Sequence, residues 1–139
     1  INVKNPFSIQ ETSNLIHIVS TVEGDLKDDE DQISSLSAGF PAGTVSGAPK
    51  IRAMEIIDEL EKEKRGIYAG AIGYFSANGD IDTAIALRTA IIKDKIMYVQ
   101  AGGGVVYDSN EEYEYNETVN KSQALFTAAK DALKNNSKE

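Results

Sequence analysis

From Gly66 onward the apolar residues stop recurring at helical spacing and run in β-branched stretches, and Asn78-Gly79-Asp80 stands between two of them. An Asn-Gly pair supplies the positive φ that a tight hairpin demands, so residues 67–77 and 81–92 are expected to pair antiparallel. Lys93-Asp94-Lys95 marks a second turn, into a third strand over 96–106. Upstream, the run from Leu15 to Val22 is apolar nearly throughout and rich in β-branched residues, which reads as a strand buried on both faces. The stretch before it, to Ser13, is polar, and Pro6 argues against a helix there. Ile51, Met54, Ile57 and Leu60 repeat at helical spacing and read as core positions of a helix opening at Pro49, with Ser46 as a candidate cap. A short helix over 32–38 follows Asp28-Asp29-Glu30-Asp31, whose charge suits a helix N-terminus. A last helix is expected over 111–134, with Leu125, Ala129 and Leu133 on one apolar face, before a frayed tail at 135–139. The order strand, helix, helix, three antiparallel strands, helix gives an α+β fold. Its expected architecture is an α/β sandwich with helices packed on a mainly antiparallel sheet.

Composition narrows the function classes. A formal net charge of -8 disfavours nucleic acid as a partner, because phosphates would be repelled. The absence of cysteine excludes disulfides, a thiol nucleophile and a zinc–thiolate site. Neither a signal peptide nor an apolar run long enough to span a bilayer is found, so a soluble, cytoplasmic domain without a membrane partner is expected.

Several polar residues require a reason. Gly43-Thr44-Val45-Ser46-Gly47, followed by Pro49-Lys50 and a helix, could cradle an anion with backbone N–H groups, hydroxyls and one ammonium, or could be an ordinary tight loop. It is not a Walker A loop, since the lysine is displaced by one residue and no Ser or Thr follows it. Gly102-Gly103-Gly104 lies within a strand pattern, where glycines weaken packing. A bulge explains them, and so does close approach of a ligand or of another backbone. Glu114, Glu117 and Lys121 share one face of the last helix, apart from the Leu125 and Leu133 seam. The carboxylates form a candidate site for a hard divalent cation, or Glu117 simply pairs with Lys121 on the surface. His17 and Arg88 lie in strands expected to be buried. A buried arginine needs an anionic partner, such as the carboxylates of a small substrate, and Tyr68 on a neighbouring strand could add a donor.

Together these segments resemble one family. The strand around His17, the loop-helix Phe40-Pro41-Ala42-Gly43-Thr44-Val45-Ser46-Gly47-Ala48-Pro49-Lys50, Gly70-Ala71-Ile72-Gly73-Tyr74, Asp82-Thr83-Ala84-Ile85-Ala86-Leu87-Arg88, Gln100-Ala101-Gly102-Gly103-Gly104 and Glu114-Tyr115-Asn116-Glu117-Thr118-Val119-Asn120-Lys121 are similar, in order, to the chorismate-binding enzymes. Within that family Pro41-Ala42-Gly43-Thr44-Val45-Ser46-Gly47 resembles the anthranilate synthases. The alternative is the aminodeoxychorismate synthases, which stop before pyruvate loss, or a non-catalytic binding domain of the same fold. The resemblance implies a lyase that aminates chorismate and expels pyruvate, with Mg²⁺ held by Glu114 and Glu117. It implies that Arg88 and Tyr68 grip the enolpyruvyl carboxylate, helped by the backbone of Gly102, Gly103 and Gly104. Gly43 and Thr44 then lie beside the ring carboxylate, Lys121 belongs to the substrate site, and His17 and Thr44 are the catalytic positions. A glutamine amidotransferase subunit is the implied ammonia source, giving a hetero-oligomer in tryptophan biosynthesis. Because the family's catalytic domain is much longer, residues 1–139 are expected to be the C-terminal portion of a single domain, inactive alone. The upstream half would supply a general-acid glutamate and a further metal ligand.

Overall fold

The computed structural model describes residues 1–11 and 16–136, so Leu15, the first residue of the expected strand, lies outside the described residues. The chain divides into two compact units, Ile1–Ser35 and Leu36–Glu139.

The first unit is an antiparallel hairpin of β1 (Asn2–Glu11) and β2 (Ile16–Glu23). The opening stretch is therefore a strand, which its polarity had hidden. Pro6 has no N–H to give a ladder, and the pairing shifts register between Lys4 and Ser8, lifting it out of the hydrogen-bonded pattern. Asn5 and Phe7 take positive φ within this irregularity, and the Phe7 N–H donates to the Ser20 hydroxyl at 3.0 Å. β2 is not buried on both faces as its apolar run suggested. Ile16, Ile18 and Val22 are exposed, as is His17, which pairs with Gln10.

The second unit begins within α1 (Gln32–Gly39), which Asp31 caps by accepting the Ser34 N–H at 2.7 Å. That bond holds the Asp31 carboxyl below its usual range. A four-residue helix, α2 (Gly43–Ser46), interrupts the expected loop and leads into α3 (Lys50–Leu60). Pro49 sits at the N-cap of α3 rather than inside it, and Ser46 does not cap it. The buried Ser46 hydroxyl donates instead toward the carbonyls of Ala42 and Gly47.

Two further hairpins follow. β3 (Ala71–Phe75) pairs with β4 (Ile81–Ile85) around Gly79, whose φ is +96°. β5 (Ala90–Lys93) pairs with β6 (Ile96–Val99) through Asp94 and Lys95, both at positive φ, as a two-residue primed turn requires. The α+β class stands, with every strand pair antiparallel, but the expected sheet is divided into three two-stranded sheets. The long run over 81–92 breaks at 86–89, and β6 ends at Val99, so the glycine run lies beyond the strand rather than within it. α4 (Glu111–Asn136) closes the unit, with Asn110 accepting the Tyr113 N–H at its start and Glu111, Glu112 and Glu114 in its first turn.

Among the described residues Ala69, Ala86 and Ser46 are the buried ones, and no large side chain is fully buried. Ile51 and Leu60 are 76% and 73% exposed and Met54 is also exposed, so most of the apolar stripe of α3 is left uncovered by the described residues. No helix among the described residues is long and apolar enough to cross a membrane.

Candidate functional site

The β3–β4 ladder continues one step beyond the strands. The Ala69 N–H donates to the Ala86 carbonyl at 3.0 Å, and the Ala86 N–H to the Gly70 carbonyl at 2.9 Å. This close pairing of small, buried residues brings Tyr68 and Arg88 to the same end of one hairpin although twenty positions separate them. They open on a cleft of about 260 Å³ lined also by Thr44, Gly102, Gly103, Gly104 and Lys121. Six elements or loops of the second unit thus converge on a space matched to a small organic molecule.

Arg88 is exposed rather than buried in a strand, and it holds φ +52°, a conformation side-chain-bearing residues adopt at a cost of about 1 kcal/mol or more. Of the three cationic side chains lining the cleft, Arg65 is paired with Glu61 and Lys121 with Glu117, while Arg88 has no partner among the described residues. A guanidinium with no carboxylate partner among the described residues has its donors open to an anion. The Tyr68 hydroxyl stands against Gly102, where even a methyl group would lie 2.9 Å from it. What comes close to this glycine is a side chain, neither a ligand nor another backbone.

Glu114 and Glu117 sit half-buried one turn apart on α4. The Ser109 hydroxyl accepts the Val106 N–H at 2.9 Å and donates to Glu114 Oε1 at 2.7 Å, fixing that carboxylate, while Glu114 Oε2 faces Gly103. Lys121 pairs with Glu117 and reaches the Gly102 carbonyl at 3.4 Å. The expected surface salt bridge and the carboxylate pair therefore coexist. Leu125, one turn beyond Lys121, lines the same cleft, so this part of the apolar seam shares the polar face instead of lying apart from it. Two hard-oxygen donors suit Mg²⁺ in kind, and the ion needs six ligands, so others must complete the shell. No cluster of three or more metal-binding side chains occurs among the described residues.

In the loop before α3, two of the groups that its composition offers to an anion are engaged elsewhere. The Lys50 ammonium is engaged by the Gly39 and Pro41 carbonyls at 3.2 and 2.7 Å, and Ser46 is turned inward. Thr44 alone of its hydroxyls reaches the cleft lining, with Gly43 preceding it at the start of α2. His17 belongs to the first unit, whereas the cleft is built by the second. Sequence reasoning passed over Arg65. Its pairing with Glu61 was legible as a favourable i,i+4 spacing, but its 2.8 Å bond to the Val45 carbonyl, twenty residues away, was not.

Residues 1–127 match the family described as chorismate binding enzyme, a span that includes the opening strand the motifs had left out. The chain is 64% identical over 126 residues to anthranilate synthase component 1 of Cereibacter sphaeroides, covering 91% of this chain and 25% of that protein. It is 55% identical to the same component of Aquifex aeolicus, covering 92% of this chain and 26% of the relative. The crystal structure of anthranilate synthase component I from Streptococcus pneumoniae TIGR4 superposes with a TM-score of 0.83 at 53% identity, over 88% of this chain and 28% of that one. The chain thus spans about a quarter of the length of the relatives it matches. With the family model covering nearly all of its residues and the fold agreeing, the chain belongs to the chorismate-binding enzymes.

Proposed function

We propose that the cleft binds chorismate and that the chain works, within a longer polypeptide, as part of an anthranilate synthase. In that reaction ammonia adds to the ring as its hydroxyl leaves as water, and pyruvate is then eliminated to leave the aromatic amine. The observation that carries the reading is the meeting of Tyr68, unpartnered Arg88, the glycine run and Lys121 around one small cleft. Chorismate is a dicarboxylate, and a guanidinium beside a phenol hydroxyl and open backbone fits its enolpyruvyl carboxylate. Thr44, in the cleft lining, is assigned to the ring carboxylate, and His17 to assist the elimination half.

Glu114 and Glu117 would hold Mg²⁺. The ion, when bound, orients the ring carboxylate and withdraws charge through it. Ser109 keeps one Glu114 oxygen fixed, and Lys121 balances Glu117, so the pair is not left as two uncompensated negative charges. Ammonia is assigned to a glutamine amidotransferase subunit, making the working enzyme a hetero-oligomer, and the lyase class follows from pyruvate loss.

The test uses the full-length polypeptide carrying these residues, supplied with chorismate, magnesium and an ammonium salt, with anthranilate fluorescence as the readout. Fluorescence that rises with magnesium and disappears with chelator supports both the reaction and the metal. Chorismate consumption without fluorescence or pyruvate would place the protein in the aminodeoxychorismate branch. No consumption would leave a binding domain and remove the roles given to His17, Glu114 and Glu117.

A further inference from the structure

Arg65 is half-buried at the point where three lining segments of the cleft meet. Its Nε and Nη2 donate to the two Glu61 oxygens at 2.8 and 2.5 Å, a two-pronged bond that anchors it to the residue capping the end of α3. Its Nη1 donates to the Val45 carbonyl at 2.8 Å, next to Thr44 in α2. The guanidinium carbon stands 5.9 Å from the centroid of the Tyr68 ring, within cation–π range. The Glu61 bond and charge hold the Arg65 guanidinium above its usual range, so it stays charged at any pH the fold survives. Only a planar fork with several donors can make these contacts at once, and a lysine ammonium could keep one or two of them.

We propose that Arg65 is a positioning residue for substrate binding: it ties the Thr44 turn to the Tyr68 ring through one guanidinium and so fixes the spacing of two groups that grip the ligand. The inference rests on the chorismate reading above, since it names which residue sets the shape of that same cleft. Tyr68 is supported along its ring by Arg65, and its hydroxyl lies close to the Gly102 backbone. Loss of the ring support lets the hydroxyl swing away from the ligand, while the reacting ring atoms and the Glu114 and Glu117 pair are untouched.

The experiment compares the full-length polypeptide with Arg65→Lys, Glu61→Gln, Tyr68→Phe and the Arg65→Lys/Tyr68→Phe double variant. KM for chorismate and kcat are measured separately, alongside thermal unfolding. Arg65→Lys is expected to raise KM about tenfold while kcat stays within about twofold, as for a misplaced binding group. Glu61→Gln shifts KM the same way by less, and serves as the readout should Arg65→Lys unfold. In the Tyr68→Phe background, Arg65→Lys then costs less than it does alone, because part of its effect passes through the Tyr68 hydroxyl. An unchanged KM in Arg65→Lys or Glu61→Gln, or losses that simply add in the double variant, would overturn the proposal with the chorismate reading intact. Absence of turnover by the unsubstituted polypeptide would instead overturn that reading, and the role of Arg65 with it.

Discussion

Glu114 presents its two oxygens to different neighbours: Oε1 accepts from the Ser109 hydroxyl, and Oε2 faces Gly103. Removing the hydroxyl in Ser109→Ala frees the carboxylate to rotate without touching the substrate. The magnesium concentration for half-maximal turnover should then rise about tenfold, as is usual when a ligand loses its supporting hydrogen bond. The neighbouring glycines should separate cleanly. A methyl at Gly103 meets Glu114 Oε2 at 3.4 Å, an ordinary contact, whereas one at Gly102 meets the Tyr68 hydroxyl at 2.9 Å. Gly103→Ala should leave KM for chorismate within about twofold, and Gly102→Ala should raise it roughly tenfold because the Tyr68 hydroxyl must shift to make room. Equal effects of the two would remove the role given to close approach. At this scale the sequence named seven of the fifteen residues that line the cleft: Thr44, Tyr68, Arg88, Lys121 and the three glycines. It misjudged their settings. Burial of Arg88 was inferred from an apolar run, and the turn at positive φ that lifts Arg88 out of that run has no sequence signature of its own.

Hairpins carry this fold, and they depend on glycines for different reasons. A Cβ at Gly73 would overlap the Asp82 carbonyl oxygen and lie 2.8 Å from Thr83 Cα, backbone atoms that cannot move without breaking the β3–β4 ladder. Gly79 stands at φ +96°, a conformation that side-chain-bearing residues rarely adopt. Gly73→Ala should therefore cost about 3 kcal/mol or more and Gly79→Ala about 1 kcal/mol, read as shifts in urea midpoint of the full-length polypeptide. The end of α3 offers a pH-dependent counterpart. The Arg65 hydrogen bond, more than its charge, holds the Glu61 carboxyl below its usual range. The folded state thus binds that proton more weakly than the unfolded chain. The resulting stability is present in full above the ordinary glutamate range and is lost as pH falls below it. Both side chains are partly exposed, so the increment is under about 1 kcal/mol, and Glu61→Gln should lower the midpoint at neutral pH but make no difference in acid. Turn chemistry and helical spacing made α3, α4 and both later hairpins legible. β1 was not, because the register shift that accommodates Pro6 depends on the partner strand.

The apolar patterns that announced these elements promise more burial than the chain delivers. Ile51, Leu60, Ile16 and Ile18 are exposed, although each lies in a run whose spacing calls for a core. Apolar surface stabilises by about 25 cal/mol per Å² only when it is removed from water, and ordering each residue's backbone costs roughly 1–2 kcal/mol whether or not it is. With Ala69, Ala86 and Ser46 as the buried residues among those described, the isolated 139 residues cannot offset that entropy as an ordinary domain does. Spacing alone could reveal which faces seek a partner and not whether this chain supplies one. The relatives it matches are about four times its length, which is where such a partner would come from. The isolated chain should accordingly bind an environment-sensitive dye such as anilinonaphthalene sulfonate, show no sharp thermal transition and make no anthranilate from chorismate. The same residues within a polypeptide of the relatives' length should unfold cooperatively, exclude the dye and turn over. A sharp transition without dye binding in the isolated chain would mean that its hairpins and helices close on one another in solution, and anthranilate formed by it would mean that the cleft needs nothing beyond these residues.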